Sequence, residues 1–168
     1  MLEFDYFITN TIRLFFPHNA LFDTIFSFFS GLGYSIPLWI IILLFFIMFE
    51  EKKHRFFFYS FFISVIGSFG ISQYILKFIF KRVRPEDIYH FCTTDFSFPS
   101  GHSTVAFAGA SIIAYYDPKR KYLYYLFALC VAISRIYLSC HYVSDTIAGA
   151  IIGYLITQLT LYFVEKKR

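Results

Sequence analysis

Most of this chain consists of apolar runs that are long enough to cross a lipid bilayer. Residues Leu21 to Phe49 contain one charged side chain, Asp23, and a second run extends from Phe56 to about Phe80. A hydrocarbon core of roughly 30 Å takes about 20 helical residues, so both runs predict membrane helices. Hydrophobic residues make up 58% of the 168 residues, too many for an ordinary soluble domain. We therefore predict one all-α integral membrane domain over residues 1–168.

The predicted architecture is a polytopic membrane helix bundle with five spans. Gly31, Gly33 and Pro37 interrupt the first run, because glycine and proline break helices, and divide it into a short interfacial helix and a span. The five spans cover about residues 34–49, 56–80, 102–116, 122–138 and 144–164. Near the N-terminus, apolar residues repeat at helical spacing between polar ones, which predicts a further interfacial helix. If that segment inserts instead, the chain has six spans.

The basic residues predict the orientation of these spans. Three short basic clusters follow alternate spans and hold nine of the 15 Lys and Arg residues, within positions 52–55, 119–121 and 166–168. The positive-inside bias places such clusters in the cytoplasm, so the opposite ends of the spans face outward. The net charge of +4 is modest and forms no contiguous basic patch, which argues against a nucleic-acid partner.

Three polar motifs lie at the predicted outer ends of the spans. The first runs from Lys77 to Pro85 and includes Arg84. A point-charge ammonium and a forked guanidinium make complementary contacts to phosphate oxygens, so this pair favours a phosphate site. The alternative interpretation is a snorkelling lysine followed by a basic interfacial loop.

The second motif, Pro99-Ser100-Gly101-His102, stands directly before the third predicted span. A helix N-terminus presents unpaired N–H groups, so Ser100 and Gly101 can hold an oxyanion while His102 exchanges a proton. An ordinary turn with a helix cap would explain Pro99, Ser100 and Gly101 equally well, but it leaves out the histidine.

The third motif runs from Ser134 to Asp145 and includes Arg135 and His141. Residues four apart share a helix face, so Asp145 can bond one ring nitrogen of His141 and leave the other as a nucleophile. The alternative is a His–Asp pair that only satisfies its own hydrogen bonds at the interface. Together the motifs hold six ionisable side chains in one layer near hydrocarbon, where each costs on the order of 2.5–3.5 kcal/mol at a helix centre and less toward its ends. A shared phosphate-handling site explains all six.

The chain resembles the type-2 phosphatidic acid phosphatase family, whose signature is K-x6-RP, PSGH and SR-x5-H-x3-D. Residues 77–85, 99–102 and 134–145 match this signature in order, in spacing and without a departure. The signature therefore runs from residue 77 to residue 145, and residues 1–50 carry none of it. The same pocket occurs in vanadate-dependent haloperoxidases and soluble acid phosphatases, and the predicted spans argue against a soluble member.

The resemblance implies a role for each matching residue. His141 is the nucleophile that forms a phosphohistidine, Asp145 is its orienting partner, and His102 is the acid that protonates the leaving oxygen. The phosphoryl oxygens are bound by Lys77, Arg84, Ser100, the Gly101 amide and Arg135. No metal or other cofactor is implied, because cations and helix-end amides offset the charge of the phosphoryl group.

The implied substrate is a phosphorylated lipid of the bacterial envelope, met at the outer face of the inner membrane. We expect lipid A 1-phosphate, with undecaprenyl diphosphate and phosphatidylglycerol phosphate as alternatives. Lys81, Arg82 and the loop from Glu86 to Phe98 are candidate headgroup contacts, although both cations are equally explained as solvated interface charges. A lipid-phosphate binding protein without catalysis is the alternative of a different class. The sequence predicts no oligomeric state.

The three cysteines have no metal-ligand spacing. Cys92 and Cys140 both fall in loops on the side of the motifs, so a disulfide between them is open. Cys130 falls within an apolar run, which predicts a buried apolar side chain.

Overall fold

The computed structural model describes residues 2–30, 56–85, 92 and 94–166, and the regular elements in these ranges are helical. Helix α1 is Leu2–Phe15 and α2 is Ala20–Ser30. Helix α3 is Phe57–Phe80, in which Ile71–Leu76 is a π-helical turn. A short 3₁₀ turn, Pro118–Arg120, separates α4 from α5, and the remaining helices are α4 (Gly101–Tyr116), α5 (Lys121–Tyr137) and α6 (Val143–Glu165).

The predicted all-helical fold is confirmed, and the predicted spans near 56–80, 102–116, 122–138 and 144–164 are helices α3 to α6. Two segments, Phe57–Phe80 and Val143–Val164, are long and apolar enough to cross a membrane. Helices α4 and α5 are shorter, with 16 and 17 residues. The predicted span at 34–49 lies outside the described residues, so the number of spans stays a prediction.

Helix α4 is the centre of the bundle and packs against α3, α5 and α6. Its side chains are mostly small, and Ala106, Ala108, Ala110, Ile112 and Ile113 are almost completely buried. Large apolar side chains on α3 and α6 point away from this core and remain exposed, as membrane-facing residues do. Small side chains of α4 therefore allow the helices to pack closely at the centre of the bundle, and the outer surface of the bundle is apolar.

A glycine seam brings α6 against the backbone of α4. A Cβ placed on Gly149 would lie 2.6 Å from the carbonyl oxygen of Ser100, and one on Gly153 would lie 2.1 Å from that of Thr104. One turn further on, the Thr157 hydroxyl donates to the Ala108 carbonyl at 3.2 Å. Glycines four residues apart permit this close approach of two helices. The seam holds the start of α6 beside the start of α4, where two of the polar motifs lie.

Replacing Gly153 with alanine is expected to destabilise the protein, because the new methyl group would overlap the α4 backbone rather than a movable side chain. Overpacking of this kind costs about 1–3 kcal/mol. Gly70→Ala is the matched control, since a Cβ at Gly70 has no neighbour within 4 Å. Thermal unfolding of the purified variants in detergent measures both effects. Equal midpoints for Gly153→Ala and the unsubstituted protein would contradict the close approach.

The N-terminal segment forms a helix, as predicted, with its polar face inward. Asp5 is 9% and Thr9 is 1% exposed, whereas Phe4, Phe7 and Leu14 are more than half exposed. Helix α2 packs on the end of α5, where Phe26 stacks on Tyr137 with ring centroids 4.3 Å apart. Both N-terminal helices therefore lie against the end of the bundle that carries the motifs.

Candidate active site

The three motifs meet at one end of the bundle. Lys77 is in the last turn of α3, Ser100 caps the N-terminus of α4, and His141 lies in the turn between α5 and α6. The backbone N–H of Ser100 donates to the carbonyl oxygen of Asp145 at 3.0 Å, which joins the second motif to the third. Residues of the three motifs, which lie between positions 77 and 145 of the chain, thus form one cluster. The glycine seam contributes to this because it sets the N-terminal ends of α4 and α6 side by side.

Two neighbours fix the tautomer of His141, which is 1% exposed. Its Nδ1 lies 2.7 Å from the Ser97 carbonyl oxygen, and its Nε2 lies 3.1 Å from an Arg84 guanidinium nitrogen. A carbonyl only accepts and a guanidinium only donates, so Nδ1 carries the hydrogen and Nε2 holds the lone pair. The nitrogen with the lone pair faces the guanidinium of Arg84.

The partner of His141 differs from the one predicted. Asp145 was expected to bond the ring, but its Oδ2 lies 3.6 Å from Nδ1, beyond hydrogen-bond range. Its carboxylate instead accepts from the Tyr142 N–H at 3.0 Å and from Arg82 at 2.7 Å. The reason is that the Asp145 side chain accepts a backbone hydrogen bond at the start of α6. The Nδ1–H of His141 therefore donates to the Ser97 carbonyl instead. Asp145 remains close enough for its charge to act on the ring.

Lys77 and Arg84 are buried beside one carboxylate, that of Asp95. The Lys77 ammonium donates to one oxygen of Asp95, and the Arg84 guanidinium donates to the other at 2.5 Å. Arg84 also donates to the Cys140 carbonyl at 2.7 Å, next to His141. The Lys77 and Arg84 side chains are 4% and 10% exposed, whereas that of Asp95 is 39% exposed. Two buried cations are therefore held together by an acid that reaches solvent.

Arg135 and His102 complete the cluster. Arg135 is 5% exposed and donates to the hydroxyl of Ser30 at the end of α2. His102 is in the first turn of α4. The side chains whose charges act on its ring are Arg135, His141, Lys77 and Arg84. The structure thus brings the six predicted ionisable side chains into one neighbourhood.

Burial and the nearby charges of Arg135, Arg84 and Lys77 hold the pKa of His141 well below its usual value. An imidazole with such a pKa stays uncharged at neutral pH. Nε2 therefore carries no proton and accepts the hydrogen bond from Arg84. The negative charge of a bound anion would oppose the unfavourable effect of the surrounding cations on a positively charged ring.

The two candidate headgroup cations occupy different environments. Lys81 ends α3 with a positive φ of 45°, and its side chain is exposed. Arg82 is turned into the protein: it is 16% exposed, lies over the Tyr142 ring at 4.1 Å, and pairs with Asp5 and Asp145. The Glu86 to Phe98 loop is described only at residue 92 and from 94 onward. The headgroup role of these residues stays a prediction.

Cys92 and Cys140 form a disulfide between the loop before the second motif and the residue before His141. The sequence left this pairing open. Cys130 is partly buried and is not bonded to another cysteine. The disulfide anchors the loop that carries Asp95 and Ser97 beside the third motif.

Sequence reasoning missed four contributors to the cluster, namely Asp5, Ser30, Asp95 and the Ser97 carbonyl. No local pattern identifies Asp5 or Ser30, since their partners lie 77 and 105 residues away. Asp95 falls between two motifs in a loop already suspected of substrate contact, and this was the available signal. A backbone carbonyl carries no side-chain identity, so Ser97 was not recognisable.

The described residues thus place buried cations around an uncharged histidine at one end of a bundle of apolar helices. The chain belongs to the PAP2 superfamily, whose family model matches residues 56–168. The predicted resemblance to type-2 phosphatidic acid phosphatases is thereby confirmed.

Known relatives agree with this assignment. Phosphatidylglycerophosphatase B of Bacillus subtilis (strain 168) is 35% identical over 113 residues, covering 61% of this chain and 56% of the relative. Lipid A 1-phosphatase of Rhizobium johnstonii is 30% identical over 109 residues, covering 59% and 44%. The chain spans about half the length of these curated relatives.

A solved structure is similar over nearly the whole chain. The transmembrane PAP2 type phosphatidylglycerolphosphate phosphatase from Bacillus subtilis has a TM-score of 0.70 at 26% identity, covering 99% of this chain and 87% of that one. The likeness therefore extends to the N-terminal helices, beyond the family-model match.

Proposed function

We propose that this chain is a membrane lipid phosphatase that transfers a phosphoryl group first to His141 and then to water. The observation that carries this proposal is the state of His141: its Nδ1–H donates to the Ser97 carbonyl, and its Nε2 lone pair faces the buried guanidinium of Arg84. A site that only bound phosphate would need the cations but would not need a nitrogen nucleophile among them.

In the first step the Nε2 lone pair of His141 attacks phosphorus. A phosphorus–nitrogen bond forms, the bond from phosphorus to the lipid oxygen breaks, and His102 gives that oxygen a proton. Lys77, Arg84 and Arg135 offset the negative charge of the phosphoryl oxygens, and the N-terminus of α4 adds the Gly101 amide. The nearby carboxylate of Asp145 stabilises the positive charge that develops on the ring.

In the second step water attacks the phosphohistidine. His102, now unprotonated, takes a proton from the water, the phosphorus–nitrogen bond breaks, and orthophosphate leaves. The His141 ring recovers its lone pair at Nε2, while its Nδ1–H continues to donate to the Ser97 carbonyl. The cations and helix-end amides supply the charge stabilisation in both steps, so the mechanism requires no metal.

The substrate class is a phosphorylated membrane lipid. Lipid A 1-phosphate is the headgroup that we expected from the sequence, and one relative carries that name. Phosphatidylglycerophosphate is the second candidate, because a relative and a solved structure of that kind are similar to this chain. Undecaprenyl diphosphate, whose hydrolysis would leave the lipid monophosphate, is the third. The residues that bind phosphate do not discriminate among these three.

The site is proposed to face the outside of a bacterial inner membrane. The basic residues Lys119 and Arg120 follow the C-terminal end of α4, and Lys166 follows that of α6, whereas the site lies at the N-terminal ends of both helices. The positive-inside bias assigns the basic end to the cytoplasm. The Cys92–Cys140 disulfide at the opposite end suits an oxidising compartment.

A substrate panel tests the proposal. The purified protein is offered lipid A 1-phosphate, phosphatidylglycerophosphate and undecaprenyl diphosphate in mixed micelles, and orthophosphate release is measured for each. Release from at least one lipid, inhibited by vanadate, is the expected result. Lipid binding without release from any of them would favour the non-catalytic alternative.

Asp95 is expected to compete with substrate, because its carboxylate accepts hydrogen bonds from Lys77 and Arg84, the cations proposed to bind the phosphoryl group. Asp95→Asn should tighten inhibition by orthophosphate and vanadate about tenfold, since a hydrogen bond to a charged group contributes about 1.5–3 kcal/mol. The inhibition constants of the two anions in a steady-state assay measure the effect.

Asp23→Asn is the matched control for this substitution. The Asp23 side chain is 43% exposed, similar to that of Asp95, but it pairs with His18 instead of the site cations. Its inhibition constants should remain within about twofold of the unsubstituted protein. Weaker inhibition in Asp95→Asn would mean that Asp95 holds the two cations in position for the anion and does not compete with it.

A further inference from the structure

The N-terminal helix is bonded through its polar face to the start of α6. Asp5 accepts a hydrogen bond from the Ser144 N–H at 3.2 Å, and Thr9 accepts one from the Val143 N–H at 3.2 Å. These N–H groups belong to the first turn of α6, where a helix provides no partners of its own. Helix α1 therefore caps α6 from more than 130 positions away in the chain.

Arg82 connects the same carboxylate to the catalytic end of α6. One guanidinium nitrogen lies 2.6 Å from Asp5, and another lies 2.7 Å from Asp145 and 2.6 Å from the Ser144 hydroxyl. The side chains of Asp5, Arg82 and Asp145 are 11%, 16% and 0% exposed. The three charges form a row from α1 to the carboxylate beside His141.

We propose that Asp5 is a positioning residue of the active site. The Asp5 carboxylate neutralises Arg82 and holds it against Asp145, so that the Asp145 charge can stabilise positive charge on the His141 ring. This inference rests on the proposed function. It adds to the site a residue outside positions 56–168, the region matched by the family model.

Membrane attachment does not explain this contact. The exposed face of α1 carries Phe4, Phe7, Leu14 and Phe15, and an apolar face of this kind binds a membrane interface without a contribution from Asp5. A buried carboxylate on the opposite face weakens such attachment unless it has a partner. Burial raises the pKa of Asp5, but the hydrogen bonds from Ser144 and Arg82 outweigh it and lower the pKa overall. Asp5 is therefore a charged group within the protein.

The charge arithmetic predicts the consequence of losing Asp5. Arg82 carries one positive charge and lies between two carboxylates, so the row has a net charge of −1. Without the Asp5 charge, Arg82 cancels Asp145 and the row becomes neutral. Positive charge on the ring of His141 then loses its stabilisation, which slows formation of the phosphohistidine. The phosphate-binding cations are untouched, so anion binding stays the same.

The test compares Asp5→Asn with Asp5→Glu in the full chain. We expect Asp5→Asn to lower kcat about tenfold, because Arg82 would then offset the Asp145 charge beside the reacting ring. The vanadate inhibition constant and the number of vanadate sites per polypeptide should stay unchanged. Asp5→Glu, which restores the charge, should recover most of kcat.

Asp117→Asn is the matched control, because Asp117 is also buried and accepts from Arg120 at 2.5 Å, but at the opposite end of α4. It should keep the kcat of the unsubstituted protein. The inference is overturned if Asp5→Asn keeps its kcat, or if it loses vanadate sites in proportion to activity, which would indicate a purely structural contact. If the unsubstituted protein binds vanadate but releases no phosphate from any lipid, the proposed function fails and this inference fails with it.

Discussion

His141→Ala is expected to abolish phosphate release from every lipid substrate, with a loss on the order of 10⁴-fold or more, as for other enzymatic nucleophiles. The reason is that the Nε2 lone pair is the group placed to attack phosphorus, and alanine offers no substitute. Protein quenched during turnover with ³²P-labelled substrate should contain no acid-labile phosphate. The same measurement on the unsubstituted protein should detect it.

His18→Ala is the control for this substitution. His18 is an imidazole near the same end of the bundle, but it stacks on Tyr137 and pairs with Asp23. It should retain activity within a few fold. Labelled phosphoprotein that persists in His141→Ala would show that another residue is the nucleophile, and the assignment of His141 would be wrong.

His102→Ala is expected to have the second largest effect, and its size should depend on the leaving group. Loss of a general acid costs about 10²–10⁴-fold. A lipid alkoxide requires the proton from His102, whereas nitrophenolate leaves without one. Single-turnover release of nitrophenolate from p-nitrophenyl phosphate should therefore be slowed less than about tenfold, because only the acid is missing.

The second half of the reaction provides an independent test of His102. Without a base, water attacks the phosphohistidine slowly, so His102→Ala should accumulate labelled phosphoprotein after the nitrophenolate burst. His141→Ala should show neither burst nor label. Equal losses on the lipid and on p-nitrophenyl phosphate would contradict the role of His102 as the acid.

The sequence predicted the helices and the members of the site because both depend on local patterns. Apolar runs of 16–24 residues indicate where helices α3 to α6 lie, since a helix in hydrocarbon must satisfy its own backbone hydrogen bonds. The motifs indicate which side chains lie together in the site. Ionisable side chains near hydrocarbon cost free energy unless they interact with one another or with a ligand, and the motifs contain such side chains at Lys77, Arg84, His102 and His141. Neither pattern depends on which helix lies beside which.

The pairing of side chains within the site was not predictable in the same way. The i, i+4 spacing correctly placed Asp145 near His141, yet the ring hydrogen goes to the Ser97 carbonyl at 2.7 Å and not to Asp145 at 3.6 Å. For Arg82 the sequence predicted either a headgroup contact or a solvated interface charge, and it did not predict the pairing with Asp5, because Asp5 lies 77 residues away. Asp95 bridges Lys77 and Arg84, which precede it in the chain by 18 and 11 residues.

By itself the sequence determined an all-helical apolar chain, a set of candidate phosphate-binding side chains, and the family. Only the tertiary structure decided which atom of His141 holds the lone pair, that Asp95 occupies the cations, and that α1 is joined to the start of α6. Composition and spacing are properties of single segments, whereas a hydrogen bond depends on distances of a few tenths of an ångström. Those distances are set by the close approach of α4 and α6 at Gly149 and Gly153, which no single segment specifies.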